Sequence, residues 1–347
     1  MTALTLPAQP GRDASPRPAP WRRMAWITWR QHRLAVAGVV AVLGAASVYL
    51  YIAGEQLRHQ GFISYGAGPV LSITAVLFQV IPPLIGAFVG APVLARELES
   101  GTFRFTWTQG FGRARWTVAT LAPLALAVTV AAAAFGFVFS WSYGPQINGN
   151  PILSPLAATT FDLHEVTLAA WTLVAFAIGA VAGIVIRRVV PAMFATLVAW
   201  SGLAVVTGAF LRRHYEAPLV TSNFNLPDGA WIESQRWAQD GKPVSLSTVD
   251  QVLQKIGATV AAPGHLGRAA AASGPSGQFG QSASAPAPAA GSVNPAQYLL
   301  HHGITQLATY QPASRFWPFQ WIEGGWLLVL SLLLMAAAVW LVHRRAA

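Results

Sequence analysis

The 347-residue chain contains no cysteine, which excludes disulfides and thiolate metal sites outright. Lysine is nearly missing too: it stands only at Lys242 and Lys255, and every other basic residue is arginine. Charge of either sign is scarce at 10% of the chain, against roughly 25% in a soluble domain. Acidic residues are the scarcer, 12 against 22 lysines and arginines, which leaves a net charge of +10. In a soluble protein such an excess would suggest nucleic acid. Here the arginines flank apolar runs and form no stripe with interleaved aromatics, so they read as topology determinants and lipid-headgroup contacts, and nucleic acid is not an expected partner.

The usual catalytic patterns are also missing. There is no G-x-x-x-x-G-K-[ST] loop, because Gly241 and Lys242 are followed by Pro243 and lack the upstream glycine, so the chain does not bind ATP in that way. His164 and Glu165 begin an H-E-x-x-H pattern, but Leu168 stands where the second histidine must be. His301 and His302 are adjacent, which on a helix sets their rings about 100° apart and disfavours a shared metal. The apolar runs hold no histidine and no mid-depth carboxylate, which disfavours an intramembrane serine protease and a proton-coupled transporter. No catalytic residue, metal ligand or cofactor site is therefore assigned to this chain.

What the chain has is apolar sequence: 54% of it is hydrophobic, gathered into long runs between short charged clusters. Six candidate spans stand out, namely Leu34–Ile52, Val70–Leu94, Trp116–Trp141, Thr167–Ile186, Val189–Phe210 and Trp326–Val342. Most reach the roughly 20 residues that cross a bilayer at 1.5 Å each, and none holds a charged residue. The expected fold is an all-α integral membrane protein, a six-helix transmembrane bundle. Residues 1–20, rich in Pro, Ala and Arg, read as a disordered tail. From 21 to 33, Arg22, Arg23, Arg30 and Arg33 share one helical arc, with Trp21, Trp26 and Trp29 as interfacial tryptophans, so an amphipathic helix in the membrane interface is expected.

Pro82, Pro83 and Pro92 predict a bent or broken second span. Gly86 with Gly90, and Gly179 with Gly183, are G-x-x-x-G pairs that let helix backbones approach closely. Spans five and six are separated by the long connection 211–325. In it Ser247 and Asp250 read as a capping pair for a short helix to Ile256, 261–293 as a flexible linker, and Asn294-Pro295 as the start of a helix to about Leu307. The aromatics Phe316, Trp317, Phe319, Trp321 and Trp326 then read as a belt that brings the chain back to the bilayer.

Basic residues set the orientation. With both termini cytoplasmic, the arginines from Arg12 to Arg33 and those at 96, 104, 113, 115, 187, 188, 344 and 345 lie inside, opposed only by Asp13, Glu97 and Glu99. Arg212 and Arg213 fall on the other side, but they open a long loop, and such loops translocate largely regardless of charge. The connection 211–325 is then extracytoplasmic, and 326–347 is the last span with a cytoplasmic end.

The most informative stretch lies between spans two and three: Arg96-Glu97-Leu98-Glu99-Ser100-Gly101-Thr102, then Trp107-Thr108-Gln109, then Arg113-Ala114-Arg115-Trp116. It resembles the type-two ABC exporter permeases, whose second span ends in an acidic Arg-Glu-x-Glu-x-Gly-Thr helix followed by a Thr-Gln turn and an arginine. Trp29-Arg30-Gln31-His32-Arg33 and Tyr310-Gln311-Pro312-Ala313-Ser314-Arg315-Phe316-Trp317-Pro318 look like an actinobacterial group within that family. The resemblance implies a permease in the bacterial plasma membrane, two copies or a pair of paralogues, served by a separate ATPase subunit that holds the ATP and Mg. It implies that Arg96, Glu97, Glu99, Gly101 and Thr102 belong to the coupling helix that docks on that subunit, and that 21–33 is the interfacial elbow. Thr120, where relatives often carry Lys or Arg, and the length of the last external loop depart from the pattern. The competing reading is a membrane scaffold or sensor whose external loop binds a ligand.

Overall fold

The computed structural model describes residues 21–59, 67–100, 113–149, 154–223, 226–255 and 295–345. The expected tail 1–20, the linker 261–293, and Gly101 and Thr102 fall outside them. Six helices are long and apolar enough to cross a membrane. The first is α1 (Trp21–His59). The second is built from α2 (Ala67–Phe78), α3 (Ile81–Ile85), a π turn Gly86–Gly90 and α4 (Ala91–Ser100). The third is α5 (Arg113–Gly149). After a short α6 (Ala158–Phe161) come α7 (Glu165–Ile186) and α8 (Val189–Val206), the fourth and fifth.

Two of these helices depart from regular geometry. In the second, Pro82 and Pro83 fall in the first turn of α3, where a missing N–H costs nothing. Pro92 cannot donate from inside α4, and the amide of Ala91 before it reaches back five residues to Gly86 O, which is the π turn. The fifth ends in a second π turn, Thr207–Leu211, and a 3₁₀ turn, Arg212–His214.

The fourth span is the axis of the bundle, packed by the second, third, fifth and sixth, while the first lies along the third. Its burial follows from composition: small residues and Thr167, Thr172, Gly179 and Gly183 among apolar ones let neighbours close in on most of its faces. The first span buries one stripe, Val36, Leu43 and Leu50, at a spacing of seven. Leu34, Val42, Tyr49 and Ile52 point away and are at least half exposed, as suits a lipid-facing surface.

Residues 21–33 and 34–52 lie in one continuous helix, so the change from basic to apolar sequence at Leu34 is not a helix break. Arg30 and Arg33 are exposed on it, and the helix continues without interruption through Leu34.

The connection between spans five and six holds a four-stranded antiparallel sheet that the sequence reading did not foresee. Its strands are β1 (Leu219–Thr221), β2 (Trp231–Gln239), β3 (Lys242–Val244) and β4 (Ile304–Gln311), in the order β1-β4-β2-β3. Asp240 (φ 50°) and Gly241 (φ 80°) close the β2–β3 hairpin in the left-handed conformation a two-residue turn requires. The helices α9 (Leu246–Gln254) and α10 (Pro295–His301) cover one face, where Trp237, Val249, Leu253, Leu299 and Ile304 form a small core.

Two expectations in this connection are corrected. The cap of α9 is Ser245, whose hydroxyl accepts from the Thr248 amide, two residues before the expected Ser247. The helix expected to run to Leu307 stops at His301, because Gly303 (φ 69°) turns the chain out and the residues from Ile304 onward are taken up as β4. The last helix, α11 (Phe316–Arg345), begins ten residues before the expected span, so the aromatic belt is its first three turns and Glu323 lies within it.

Candidate functional site

The spans alternate, so one end of the bundle carries the start of α1, the end of α4, the start of α5 and the turn between α7 and α8. The hydrogen bond from Thr28 Oγ1 to Ala119 O, 3.3 Å, joins the first and third spans near this end. Trp21, Arg22 and Arg23 open α1; Trp26, Trp29, Arg30 and Arg33 are exposed on it, and the Arg30 guanidinium sits 5.5 Å from the Trp26 ring. On α11, Arg344 stacks at 4.9 Å on Trp340. Cations on tryptophan faces at a bundle end suit a headgroup layer.

The end of α4 is held in place by glycine. A Cβ on Gly86 would lie 2.5 Å from Ala175 O, one on Gly90 2.6 Å from Phe176 O, and one on Gly183 2.5 Å from Ala91 O. At Gly179 it would fall on Gly86 O. The four glycines thus form one seam in which the second span lies backbone to backbone against the fourth. The acidic tail of α4 follows directly. Arg96 is exposed and Glu97 half-buried, while Glu99 Oε2 accepts from the Val189 amide at 3.2 Å, capping α8. Arg187 (φ 57°) makes the tight turn from α7 to α8, its amide bonded to Gly183 O. The structure therefore joins the end of α4 to the α7–α8 turn through Glu99, with Arg96 and Glu97 on the same last turns of the helix. The sequence placed that turn at Arg187-Arg188, between two apolar runs, but not its contact with the acidic end of α4.

The opposite end holds a buried charge cluster that the sequence reading did not assemble. Arg212, at the end of the fifth span, is 1% exposed. Its Nε and Nη2 donate to the two oxygens of Glu323 at 3.1 and 2.9 Å, and Nη2 also contacts Asp162. Trp171 Nε1 donates to Glu323 Oε1 at 3.0 Å and Tyr215 Oη to Oε2 at 3.2 Å, so a fully buried carboxylate meets four donated hydrogen bonds. Phe161 lies 4.3 Å from the guanidinium carbon, and Trp326 Nε1 donates to Tyr215 Oη at 3.0 Å. Gln320 bridges the Thr167 amide and Phe161 O.

The apolar segments Val189–Phe210 and Trp326–Val342 hold no charge, as expected. The helices run past those segments, and their extensions bring Arg212 and Glu323 together. Two carboxylates against one guanidinium leave an excess negative charge. Burial, reinforced by Glu323 and opposed by Arg212, pushes the Asp162 carboxyl up to about 7. The Tyr215 hydroxyl is raised by burial and then by Glu323. His164, packed on Phe316 with its ring nitrogen against Thr160 O, is lowered by burial.

The same end anchors the sheet. Arg315 pairs with Glu216 at 2.6 Å and donates to Ala217 O at 2.7 Å. Gln311 Nε2 donates to Glu216 O at 3.1 Å, and Ser154 Oγ to Gly229 O at 2.8 Å. Leu156, Phe161 and Phe319 are buried beneath Tyr215, Trp231 and Phe316. The stretch Tyr310–Pro318 is thus the joint at which β4 becomes α11.

Six apolar helices, with the fourth at the axis of the bundle, make this a multi-pass membrane protein. Residues 52–212 match the family model described as ABC-2 membrane transporter related. The matched segment, less than half of the chain, runs from the end of the first span to Arg212 and supports the ABC-2 type permease family and a membrane transport component. No curated protein and no solved structure matches the chain.

Proposed function

We propose that the chain is the membrane-spanning permease subunit of an ATP-driven exporter. It works as two copies or with a paralogue, and a separate nucleotide-binding subunit hydrolyses the ATP. The observation that carries this reading is the matched segment together with what lies inside it: an acidic helix end, Arg96, Glu97 and Glu99, fixed by a glycine seam to the axis of the bundle. Force applied at that end reaches the fourth span with little slack, since no flexible side chain intervenes. Both termini and the acidic end face the cytoplasm of a bacterium in this reading, and the sheet faces outward. The chain has no P-loop, so its energy comes from the partner.

The test is copurification. A nucleotide-binding subunit should be retained with the tagged chain extracted from its native membrane, and ATP hydrolysis should track that subunit. Hydrolysis by this chain alone, or recovery without any ATPase partner from membranes that contain it, counts for the scaffold or sensor reading.

A further inference from the structure

The two π turns differ in one respect. That in the second span is accounted for by Pro92. The one at Thr207–Leu211 has no proline within the five residues after it, yet the Arg212 amide reaches back five residues to Thr207 O. A π turn is less favourable than an α turn and recurs at functional sites, so something outside the local sequence must stabilise it. What it achieves is placement. It takes up one residue more than an α turn, and closing it to α with the same residues would rotate all that follows by about 100° about the helix axis. Arg212 would then leave Glu323 and Asp162. The rotation would pass to Tyr215, which roofs Leu156 and Phe319, and to β1, which begins at Leu219.

We propose that the π turn Thr207–Leu211 and Arg212 form a latch for the sheet. With Arg212 seated between Asp162 and Glu323, the sheet is clamped on the ends of the fourth, fifth and sixth spans. When the turn relaxes to α, Arg212 withdraws and the clamp opens. The element has two discrete arrangements because a backbone hydrogen bond here spans either four residues or five, and the buried ion pair can be made in only one of them. Gly208 and Ala209 within the turn present little side chain to resist the change. This inference does not rest on the permease reading, and its test needs no ATPase.

The chain has no cysteine, so Leu156→Cys gives a single thiol at a position with 0% exposure beneath the sheet. Its reaction with a polar maleimide is followed in the purified, detergent-solubilised full chain. Deleting Gly208 removes the extra residue while keeping Arg212 in phase, so the latch stays shut and labelling slows about threefold or more. Arg212→Gln and Glu323→Gln each unseat it, and labelling rises about tenfold or more. Deletion that leaves the rate unchanged or raises it overturns the proposal, as does wild-type labelling in both glutamine variants. If the glutamine variants do not accumulate, the Gly208 deletion decides by itself, and loss of all three overturns a latch between two folded arrangements.

Discussion

Arg212 and Glu323 lie 111 residues apart in the chain and meet in a two-pronged ion pair, fully buried where the fifth and sixth spans reach the sheet. A guanidinium suits this position because its planar fork matches both carboxylate oxygens at once, and because it keeps its charge where an ammonium would lose it. The pair also explains how a buried arginine is tolerated at this end of the bundle: its charge is neutralised inside the protein.

Removing one partner should cost far more than the pair contributes. Arg212→Ala leaves Asp162 and Glu323 facing each other, and breaking a buried pair in this way costs about 3 to 5 kcal/mol. Glu323→Gln keeps an acceptor for Trp171 and Tyr215 and should cost less. Thermal unfolding in detergent measures both, and an Arg212→Ala protein that melts with the wild type would show that the cluster is not closed in solution.

Acidity should help this end of the molecule. With the Asp162 carboxyl raised to about 7 from 3.8, the folded state binds more protons than the unfolded one between those values. Stability therefore falls as pH rises from about 4 through 7. Asp162→Asn should remove that component of the slope. A melting temperature whose pH dependence is identical in the two proteins would show that Asp162 stays ionised.

The spans were legible because a bilayer imposes long apolar runs, and such runs need no knowledge of partners. Their ends were not: α1, α5 and α11 continue well beyond the apolar residues, since a helix need not stop where hydrocarbon stops. The sheet went unseen because its inward positions include Gln306 and Gln311, which break the apolar alternation that marks a strand. The Asp240-Gly241 turn between β2 and β3 was a readable hairpin signal. The cluster could not be read at all, because nothing local ties Asp162, Arg212 and Glu323 together. At the other end, the glycines and the acidic tail stood out in the sequence, but the cap from Glu99 to Val189 joins elements 90 residues apart.

The glycine seam predicts a sharp contrast between positions of the same residue type. Gly179→Ala places a methyl on the Gly86 carbonyl, and overpacking of this kind costs about 1 to 3 kcal/mol. Gly38→Ala and Gly202→Ala meet nothing within 4 Å and should be neutral or slightly stabilising, since Ala is the better helix former. Melting temperatures that do not separate Gly179→Ala from the other two would rule out the close approach.

Orientation can be read from two single thiols at exposed positions. Leu300→Cys on the sheet module should react with an impermeant maleimide in intact cells, and Arg188→Cys at the α7–α8 turn only after lysis. The reverse pattern would invert the topology and place the acidic end of α4 outside, where no ATPase could reach it.

The two carboxylates at the end of α4 stand in different surroundings. Glu99 is engaged with the amide that starts α8, so Glu99→Gln, which keeps an acceptor, should leave the turn intact. Losing such a cap altogether costs about 1 kcal/mol. Glu97 is half-buried two residues earlier. If it meets a cationic partner surface, reversing its charge removes an attraction and adds a repulsion, and disrupting a desolvated pair costs about 2 to 5 kcal/mol of binding. Glu97→Arg should therefore leave the chain in the membrane at wild-type abundance and abolish copurification of the ATPase subunit. Glu99→Gln should retain most of it. Lys255→Glu, at the C-cap of α9 in the sheet module, should retain all of it. A pull-down at matched membrane abundance reads the three side by side. Binding kept by Glu97→Arg would remove Glu97 from the docking surface, whereas binding lost in Lys255→Glu would mean that the pull-down reports folding and not contact.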